Sequence, residues 1–322
     1  MRRTVERYTQ WNETVLRAEK ARGVALLGIC NVTPDSFSDG GAFDREETWK
    51  NRIDAILAEG ADAIDVGPES TRAGATPVDS ATQVARALEP VRYALSKGAI
   101  VSIDTTDAAV AEACLSAGAH AVNDVSCGAH KELALVAAKY RAAYVLMHSR
   151  PHHGTPGWST RADLRYKDVV ATIDHEWNYA SAKVIAAGVE ASGIYFDPGI
   201  GFAKTSEDSL AALKATPLFV DKYRGRVLLG VSRKSLLETI DPGASPLDRI
   251  GGSIAVALWA RAQGVSLLRV HDVRATKQAL DWDAALHASG FAHRGTIPVD
   301  HEQDEVTSVD EKPMGGAACS AG

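Results

Sequence analysis

One phrase recurs along the chain: a helical stretch, a glycine with a small apolar partner, an unbroken apolar run, then a polar residue. Gly60-Ala61 leads to Ala63-Ile64-Asp65-Val66-Gly67, and Gly98-Ala99 to Ile100-Val101-Ser102-Ile103-Asp104. Gly118-Ala119 precedes Ala121-Val122-Asn123-Asp124, and Gly264-Val265 precedes Leu267-Leu268-Arg269-Val270-His271. Glycine just past a helix accepts the left-handed conformation that ends it. An apolar run without alternation is what a parallel strand covered on both faces requires. Val24 to Cys30, Ala142 to Met147, Ile194 to Phe196 and Arg226 to Val231 supply further runs. The helices between carry one apolar face, as in Trp49, Ile53, Ile56 and Leu57, or Val169, Ile173, Trp177, Ala180 and Val184. The count comes to roughly eight strand-helix units, which predicts an α/β chain closed into a single (β/α)8 TIM barrel. No GxGxxG follows the first strand, which weakens the doubly wound dinucleotide-binding alternative.

Around this core the expected boundaries are a helical N-terminal extension over 1–22, the barrel over 23–290 and a polar tail over 291–322. In the extension Trp11, Val15 and Leu16 are the residues able to pack on a neighbour. The tail lacks periodicity, is acidic from His301 to Lys312, and is expected to be disordered. The 322 residues are 45% hydrophobic and 24% charged, the profile of a soluble globular chain. A net charge of -6 argues against a nucleic-acid surface, so an anion site must be a local basic cluster. Cys30, Cys114, Cys127 and Cys319 show no metal-type spacing, which fits a reduced, cytoplasmic setting. No run approaches membrane-spanning length.

In a barrel of this kind chemistry sits at the C-terminal ends of the strands. Those ends read Asn31 and Asp35, then Glu69-Ser70-Thr71-Arg72, Asp104, Asn123, Met147 with His148, Asp197, Ser232-Arg233-Lys234-Ser235, and Arg269 with His271. One polar residue after a strand is a turn-former or a cap; Asp or Asn at nearly every exit, mixed with Lys and Arg, is more than capping. The stretch Asp197-Pro198-Gly199-Ile200-Gly201-Phe202-Ala203-Lys204 shows the design most fully. Its carboxylate ends a buried strand, its glycines let backbone approach a flat ligand, and Phe202 offers an aromatic wall. Asp104, Asp197 and Asn123 suit a heterocycle with an N–H edge, such as an aminopyrimidinone, with Met147 and Phe202 against its faces. The ligand's donors and Lys234 are the expected compensation for buried carboxylates. Arg269 and His271, near the Ser70 and Thr71 hydroxyls, form an anion pocket. Asn31 and Asp35 offer hard oxygen ligands for Mg²⁺.

Taken in order, Asn31-Val32-Thr33-Pro34-Asp35-Ser36-Phe37-Ser38-Asp39-Gly40-Gly41, Glu69-Ser70-Thr71-Arg72, Asn123-Asp124, Asp197-Pro198-Gly199-Ile200-Gly201-Phe202, Ser232-Arg233-Lys234-Ser235 and Arg269-Val270-His271-Asp272 resemble the motif series of the dihydropteroate synthases. The resemblance runs from about Leu27 to Lys277. It implies a folate-pathway transferase, joining 6-hydroxymethyl-7,8-dihydropterin diphosphate to 4-aminobenzoate with release of 7,8-dihydropteroate and diphosphate. Asp104, Asn123, Met147, Asp197, Lys234 and Arg269 would then contact the pterin. Asn31, Ser70, Thr71, Arg269 and His271 would hold the diphosphate, and Asn31 with Asp35 the Mg²⁺. Phe37, Thr71, Arg72, Phe202, Lys234 and Ser235 would shape the aminobenzoate site. The catalytic set on this reading is Asp104, Asp197, Lys234, Arg269 and His271. The resemblance also implies a homodimer, for which Ile250, Ile254 and Leu258 are candidate contacts, and mobile loops over 31–41 and 69–75.

Some positions depart from the family pattern. Pro68, Cys127 and Ala203 stand where glycine is common, and Ala73 where proline is common. These changes bear on sulfonamides, which occupy the aminobenzoate site, more than on catalysis, so a sulfonamide-insensitive variant is one expectation. His148, His152 and His153 lack ligand spacing and read as loop residues. Cys30 and Cys127 read as small core residues, and Trp158, Trp177, Trp259 and Trp282 as packing. The competing readings are a pterin-binding methyltransferase-type barrel and a non-catalytic pterin-binding paralogue.

Overall fold

The computed structural model describes residues 6–33, 44–69, 77–150 and 166–287. The chain divides into Met1–Leu286, which contains the barrel, and His287–Gly322, of which His287 is described. After helix α1 (Arg7–Arg22), strands and helices alternate, except that two helices stand between the sixth and seventh strands. The strands are β1 (Ala25–Asn31), β2 (Ala63–Gly67), β3 (Ile100–Asp104), β4 (Ala121–Asp124), β5 (Ala143–Met147), β6 (Ile194–Asp197), β7 (Leu228–Leu229) and β8 (Leu267–Val270). The helices following α1 are α2 (Asp44–Ala58), α3 (Ser80–Ser96), α4 (Ala108–Ala117), α5 (Lys131–Lys139), α6 (Val169–Ala186), α7 (Ser206–Lys214), α8 (Thr216–Lys222), α9 (Ile250–Ala262) and α10 (Val273–His287).

All strand pairs are parallel, in the order β6-β5-β4-β3-β2-β1-β8-β7. A parallel bridge between Phe196 and Val227 joins the two ends, with the Phe196 N–H donating to Arg226 O at 2.9 Å. The sheet is therefore a closed eight-stranded barrel. The run expected as one strand from Arg226 to Val231 is shorter. Its first two residues meet β6, Leu228 and Leu229 pair with Leu267 and Leu268 of β8, and the ladder ends before Gly230. The glycines proposed to end helices, Gly60, Gly98, Gly118 and Gly264, all have positive φ, from 78° to 121°.

Side chains alternate between two cores. One lies between strands and helices and contains Leu26, Ile64, Val101, Val122, Tyr144 and Phe196. There the barrel and its jacket fit closely: a Cβ at Gly28 would lie 2.5 Å from Ile56 Cγ2 of α2. The second contains the inward residues Ala25, Leu27, Ala63, Ala121, Ala143 and Leu267, and with them Trp11, Val15 and Ala18 of α1. Helix α1 lies against β1, β3, β4 and β5 and covers the end where the strands begin. Asn12 holds it there, donating to Ser192 O and accepting from the Tyr195 hydroxyl, both at 3.0 Å. Trp11 and Val15 are buried as their apolar character requires, whereas Leu16 points outward. Trp177 is buried and Trp259 packs on the core, but Trp282 is 65% exposed, contrary to the expectation that it packs; Trp158 lies outside the described residues.

Candidate active site

Farther up several strands the inward positions turn polar. The register places Asp65 beside Ser102, Asp104 beside Asn123, and Met147 beside Asp197. Arg269 stands two residues beyond Leu267 on β8 and Asn31 ends β1. A period of two thus carries the inward side chains of β2, β3, β4, β6 and β8 from an apolar layer to a polar one.

The floor of the pocket is a buried ionic network. Arg269 Nε donates to Asp65 Oδ2 at 2.6 Å, and its Nη2 to Asp104 Oδ2 at 2.7 Å. Asn123 Nδ2 donates to the same Asp65 oxygen at 3.0 Å. The other oxygens, Asp65 Oδ1 and Asp104 Oδ1, are buried and have no hydrogen-bond partner among the described residues. Such acceptors call for a ligand or water that donates. Burial pushes the Asp104 pKa up to about 7; Arg269 opposes the rise, while Asp65, Asp124 and Glu69 add to it. Burial works against the Arg269 charge, but its two carboxylates hold the pKa above the usual value. Arg269, and not Lys234, is therefore the cation directly bonded to Asp104.

The opposite wall is built by β6 and the turns after β6 and β7. Asp197 Oδ1 accepts from the Gly199 N–H at 2.7 Å. Burial raises its pKa, against the pull of Lys234, the Gly199 N–H, Lys204 and Arg269. Lys234 donates to Ile200 O and lies 4.5 Å from the centre of the Phe202 ring. Burial lowers its pKa to about 8, with Asp197 and Asp104 acting to raise it and Arg269 to lower it. Lys234 thus feels the charges of Asp197, Asp104 and Arg269, and Arg269 feels those of Asp104 and Asp197. Met147 is buried beside Asp197, Phe202 is half-buried, and Ser235 is exposed at the start of a short 3-10 turn. Gly199 has φ +67°, and a Cβ there would sit 1.9 Å from His148 O, so no larger residue fits that turn.

Beside the floor a cavity of about 600 Å³ is lined by Asn31, Arg52, Arg233, His271 and Arg274, with Glu59 and Asp272 as its acidic members. Ser232 Oγ accepts the His271 N–H at 3.1 Å and lies 3.2 Å from His271 Nδ1. Arg52 Nη2 donates to His271 O at 2.8 Å, and Arg233 forms a fork with Asp272. Asn31 and His271, expected at the diphosphate, line this basic cavity; Arg269 does not, because its guanidinium turns to the carboxylates. Of the other expected site residues, Asp35, Phe37, Ser70, Thr71 and Arg72 lie outside the described residues, as do His152, His153 and Ala73.

Sequence reasoning passed over two groups. Asp65 sits inside an apolar run, yet a carboxylate at a buried inward position was itself a signal, because it requires partners. Lys204 closes the Asp197–Lys204 stretch and His148 reads as a loop residue, and the contact between them is not legible in the sequence. His148 is fully buried, with Nδ1 2.9 Å from Lys204 Nζ. Cys30 and Cys127 have thiols raised by burial, to about 12 and about 11, and so are poor nucleophiles. Cys127 and Ala203, flagged as departures from glycine, both adopt left-handed backbone, with φ +58° and +47°.

Residues 27–271 match the family model described as pterin binding enzyme. Dihydropteroate synthase of Mycobacterium leprae is 39% identical over 273 residues, covering 82% of this chain and 94% of the relative. The chain belongs to the dihydropteroate synthase family. The Bacillus subtilis dihydropteroate synthase is 35% identical, with 83% of this chain and 90% of the relative covered. Among solved structures, the Thermus thermophilus dihydropteroate synthase in complex with 4-aminobenzoate superposes with a TM-score of 0.70. It is 37% identical and covers 82% of this chain and 95% of its own. The Yersinia pestis dihydropteroate synthase with a sulfonamide drug gives a TM-score of 0.74 at 32% identity, covering 82% and 94%. A dihydropteroate synthase is a transferase acting in folate synthesis, and the barrel architecture agrees with these relatives. No helix among the described residues is long and apolar enough to cross a membrane.

Proposed function

We propose that this pocket joins 6-hydroxymethyl-7,8-dihydropterin diphosphate to 4-aminobenzoate, releasing 7,8-dihydropteroate and diphosphate. The observation that supports it best is the floor: two buried carboxylates bonded to one guanidinium, one of them also accepting from an amide, and each keeping an acceptor oxygen unused among the described residues. An aminopyrimidinone edge supplies the missing donors, and binding it stabilises the ionised form of Asp104 and Asp197. Relatives from Thermus thermophilus solved with 4-aminobenzoate and with 6HMPPP support the same pair of substrates.

On this reading the pterin lies over Asp104, Asn123 and Asp197 with Met147 against it, and its diphosphate enters the basic cavity at Asn31 and His271. The Phe202 ring and Lys234 wall the aminobenzoate. As the C–O bond to diphosphate breaks, Arg52, Arg233 and Arg274 offset the charge that gathers on the leaving group. The pterin-methyl cation left behind faces Asp104 and Asp197, whose negative charge stabilises it. The arylamine nitrogen attacks that carbon and sheds its proton to solvent, so no covalent enzyme intermediate forms. Among the described residues no three carboxylate, histidine or cysteine groups gather as a metal cluster. Mg²⁺ does not require one, since it keeps water and substrate phosphate as ligands. The Asn31 amide oxygen, which lines the cavity, fits that need, and with Asp35 it would hold the ion, which would supply charge neutralisation to the diphosphate.

The test is diphosphate release on adding 4-aminobenzoate to the chain with pterin diphosphate, with and without Mg²⁺. Binding of the pterin without release would favour a non-catalytic pterin-binding protein. Adding a sulfonamide to the same assay reads whether Pro68 and Ala73 spare the reaction from inhibition. We place the enzyme in the cytoplasm as a homodimer. The half-buried Ile250, Ile254 and Leu258 of α9 and the exposed Leu218 of α8 are its candidate contacts. Sedimentation giving one monomer mass at micromolar concentration would remove that assignment.

A further inference from the structure

Behind the aminobenzoate wall runs a row of charged groups that the reaction above does not use. Lys204 is 4% exposed. Its ammonium donates to Gly199 O at 3.0 Å and Phe202 O at 3.2 Å and meets His148 Nδ1 at 2.9 Å, with His148 O farther off at 3.4 Å. Burial lowers the Lys204 pKa to about 7, with Asp197 opposing the fall; in its ammonium form the group only donates, so the nitrogen facing it is the lone-pair nitrogen of a neutral imidazole. The ring proton then sits on Nε2, which donates to Glu176 Oε2 at 2.9 Å. Arg150 Nε reaches both oxygens of Glu176, at 2.9 and 3.0 Å. His148 and Arg150 together outweigh burial and hold the Glu176 carboxyl down to about 2. Burial lowers the His148 pKa to about 4, with Lys204 adding to the fall, which agrees with the neutral ring.

A buried ammonium is unfavourable where an apolar side chain would fill the same space. Its value here lies in what it ties together. Gly199 and Phe202 are the two ends of one turn, closed by the Phe202 N–H to Gly199 O bond at 3.0 Å. That turn includes Gly199 and Gly201 at positive φ and is followed by Ala203 at +47°, so the backbone has little local preference for its shape. Lys204 grips both ends, while Lys234 grips Ile200 O in the middle and lies on the Phe202 ring. Asp197 depends on it less, because strand pairing with Met147 and the His148 N–H to Asp197 O bond at 2.8 Å already fix that residue.

We infer that Lys204 is a positioning residue for the aminobenzoate half of the site, setting the pose of Phe202 and Lys234 through the carbonyls of their turn. The inference rests on the reading of Phe202 and Lys234 as aminobenzoate contacts. Its signature is a split between substrates: a loose wall weakens capture of 4-aminobenzoate and leaves the pterin floor intact.

The experiment is steady-state diphosphate release by the full chain and by Lys204→Met and Glu176→Gln, varying each substrate in turn. Lys204→Met is expected to raise KM for 4-aminobenzoate about tenfold, the size of a lost charged hydrogen bond, with KM for pterin diphosphate changed less than about threefold. Glu176→Gln, at a half-exposed position that tolerates the change, is expected to move the same constant in the same direction by about threefold. If Lys204→Met does not fold, the Glu176→Gln split decides alone. Equal rises in both KM values, or no change in either, would overturn the positioning role. A wild-type chain that binds pterin diphosphate but never releases diphosphate removes the assigned reaction and this inference with it.

Discussion

The two sides of the pocket neutralise buried charge in opposite ways. On the β2–β3–β4–β8 side, Asp65 and Asp104 meet one guanidinium in direct ion pairs, and an amide completes the set. On the β5–β6–β7 side, Lys204 and Lys234 are met by backbone carbonyls, and Asp197 by a backbone N–H. A planar fork can serve two fixed carboxylates at once, so rigid strand ends suit arginine. A lysine is a point charge on a flexible stem, so it suits a turn whose carbonyls converge from several directions. One side therefore presents a pre-organised acceptor floor, and the other an adjustable wall.

The largest expected effect tests that contrast by stability. Arg269→Met leaves two buried carboxylates without a cation and is expected to cost about 3–5 kcal/mol at pH 7 in denaturant unfolding. Lys234→Met leaves Asp197 with its backbone donor and is expected to cost less than about 2 kcal/mol. Equal losses would break the comparison. The Arg269→Met deficit also has a pH sign. Asp104 has its folded pKa above the unfolded value, so the folded state binds more protons between about pH 4 and 7, and stability falls as pH rises through that window. The variant is expected to recover stability toward pH 5.

Next in size is Asp65→Asn, which keeps the shape but removes the charge shared by Arg269 and Asn123. A fall of about ten- to a hundredfold in kcat/KM for pterin diphosphate is expected, with KM for 4-aminobenzoate nearly unchanged. A loss confined to the aminobenzoate constant would place the floor on the wrong side of the reaction. The same variant sharpens the electrostatics. In the wild type, kcat/KM for pterin diphosphate should fall as pH drops below about 7 and Asp104 takes a proton. Asp65 is among the charges holding that pKa up, so Asp65→Asn should move the acid limb to lower pH. A limb that stays in place would assign it to another group.

The smallest expected effect concerns the wall and its neighbour. Ala203 and Cys127 hold left-handed backbone that costs an L-residue about 1–2 kcal/mol, part of which glycine returns as entropy. Ala203→Gly and Cys127→Gly should each stabilise the chain by up to about 1 kcal/mol in thermal or urea unfolding. Destabilisation by Ala203→Gly would mean that its buried methyl packs well enough to outweigh the strain.

Much of this molecule was legible before any coordinates. Unbroken apolar runs closed by glycine or a polar residue marked the strands, and residues at or next to their ends, Asp104, Asn123, Met147 and Asp197, could be assigned to one face. Helix α1 was read as an extension, because the sequence could show that Trp11 and Val15 are apolar but not that an open barrel end awaited them. Asp65 escaped because it stands among apolar neighbours, where a strand-end rule does not look. Leu16 and Trp282 were expected to pack and do not, since helical periodicity identifies a face only when a partner covers it.

The local chemistry of the chain was sufficient to determine strand period, helix stops and the residue types at each exit, because backbone sterics and side-chain polarity act over a few positions. Partnership was decided only on closure. Arg269 reaches Asp65 across 204 positions and Asp104 across 165, and Lys204 reaches His148 across 56. Barrel register fixes such pairs by setting how far each strand is staggered against the next. Which buried charge answers which is therefore a property of the closed sheet, whereas the charges themselves are written in the strands.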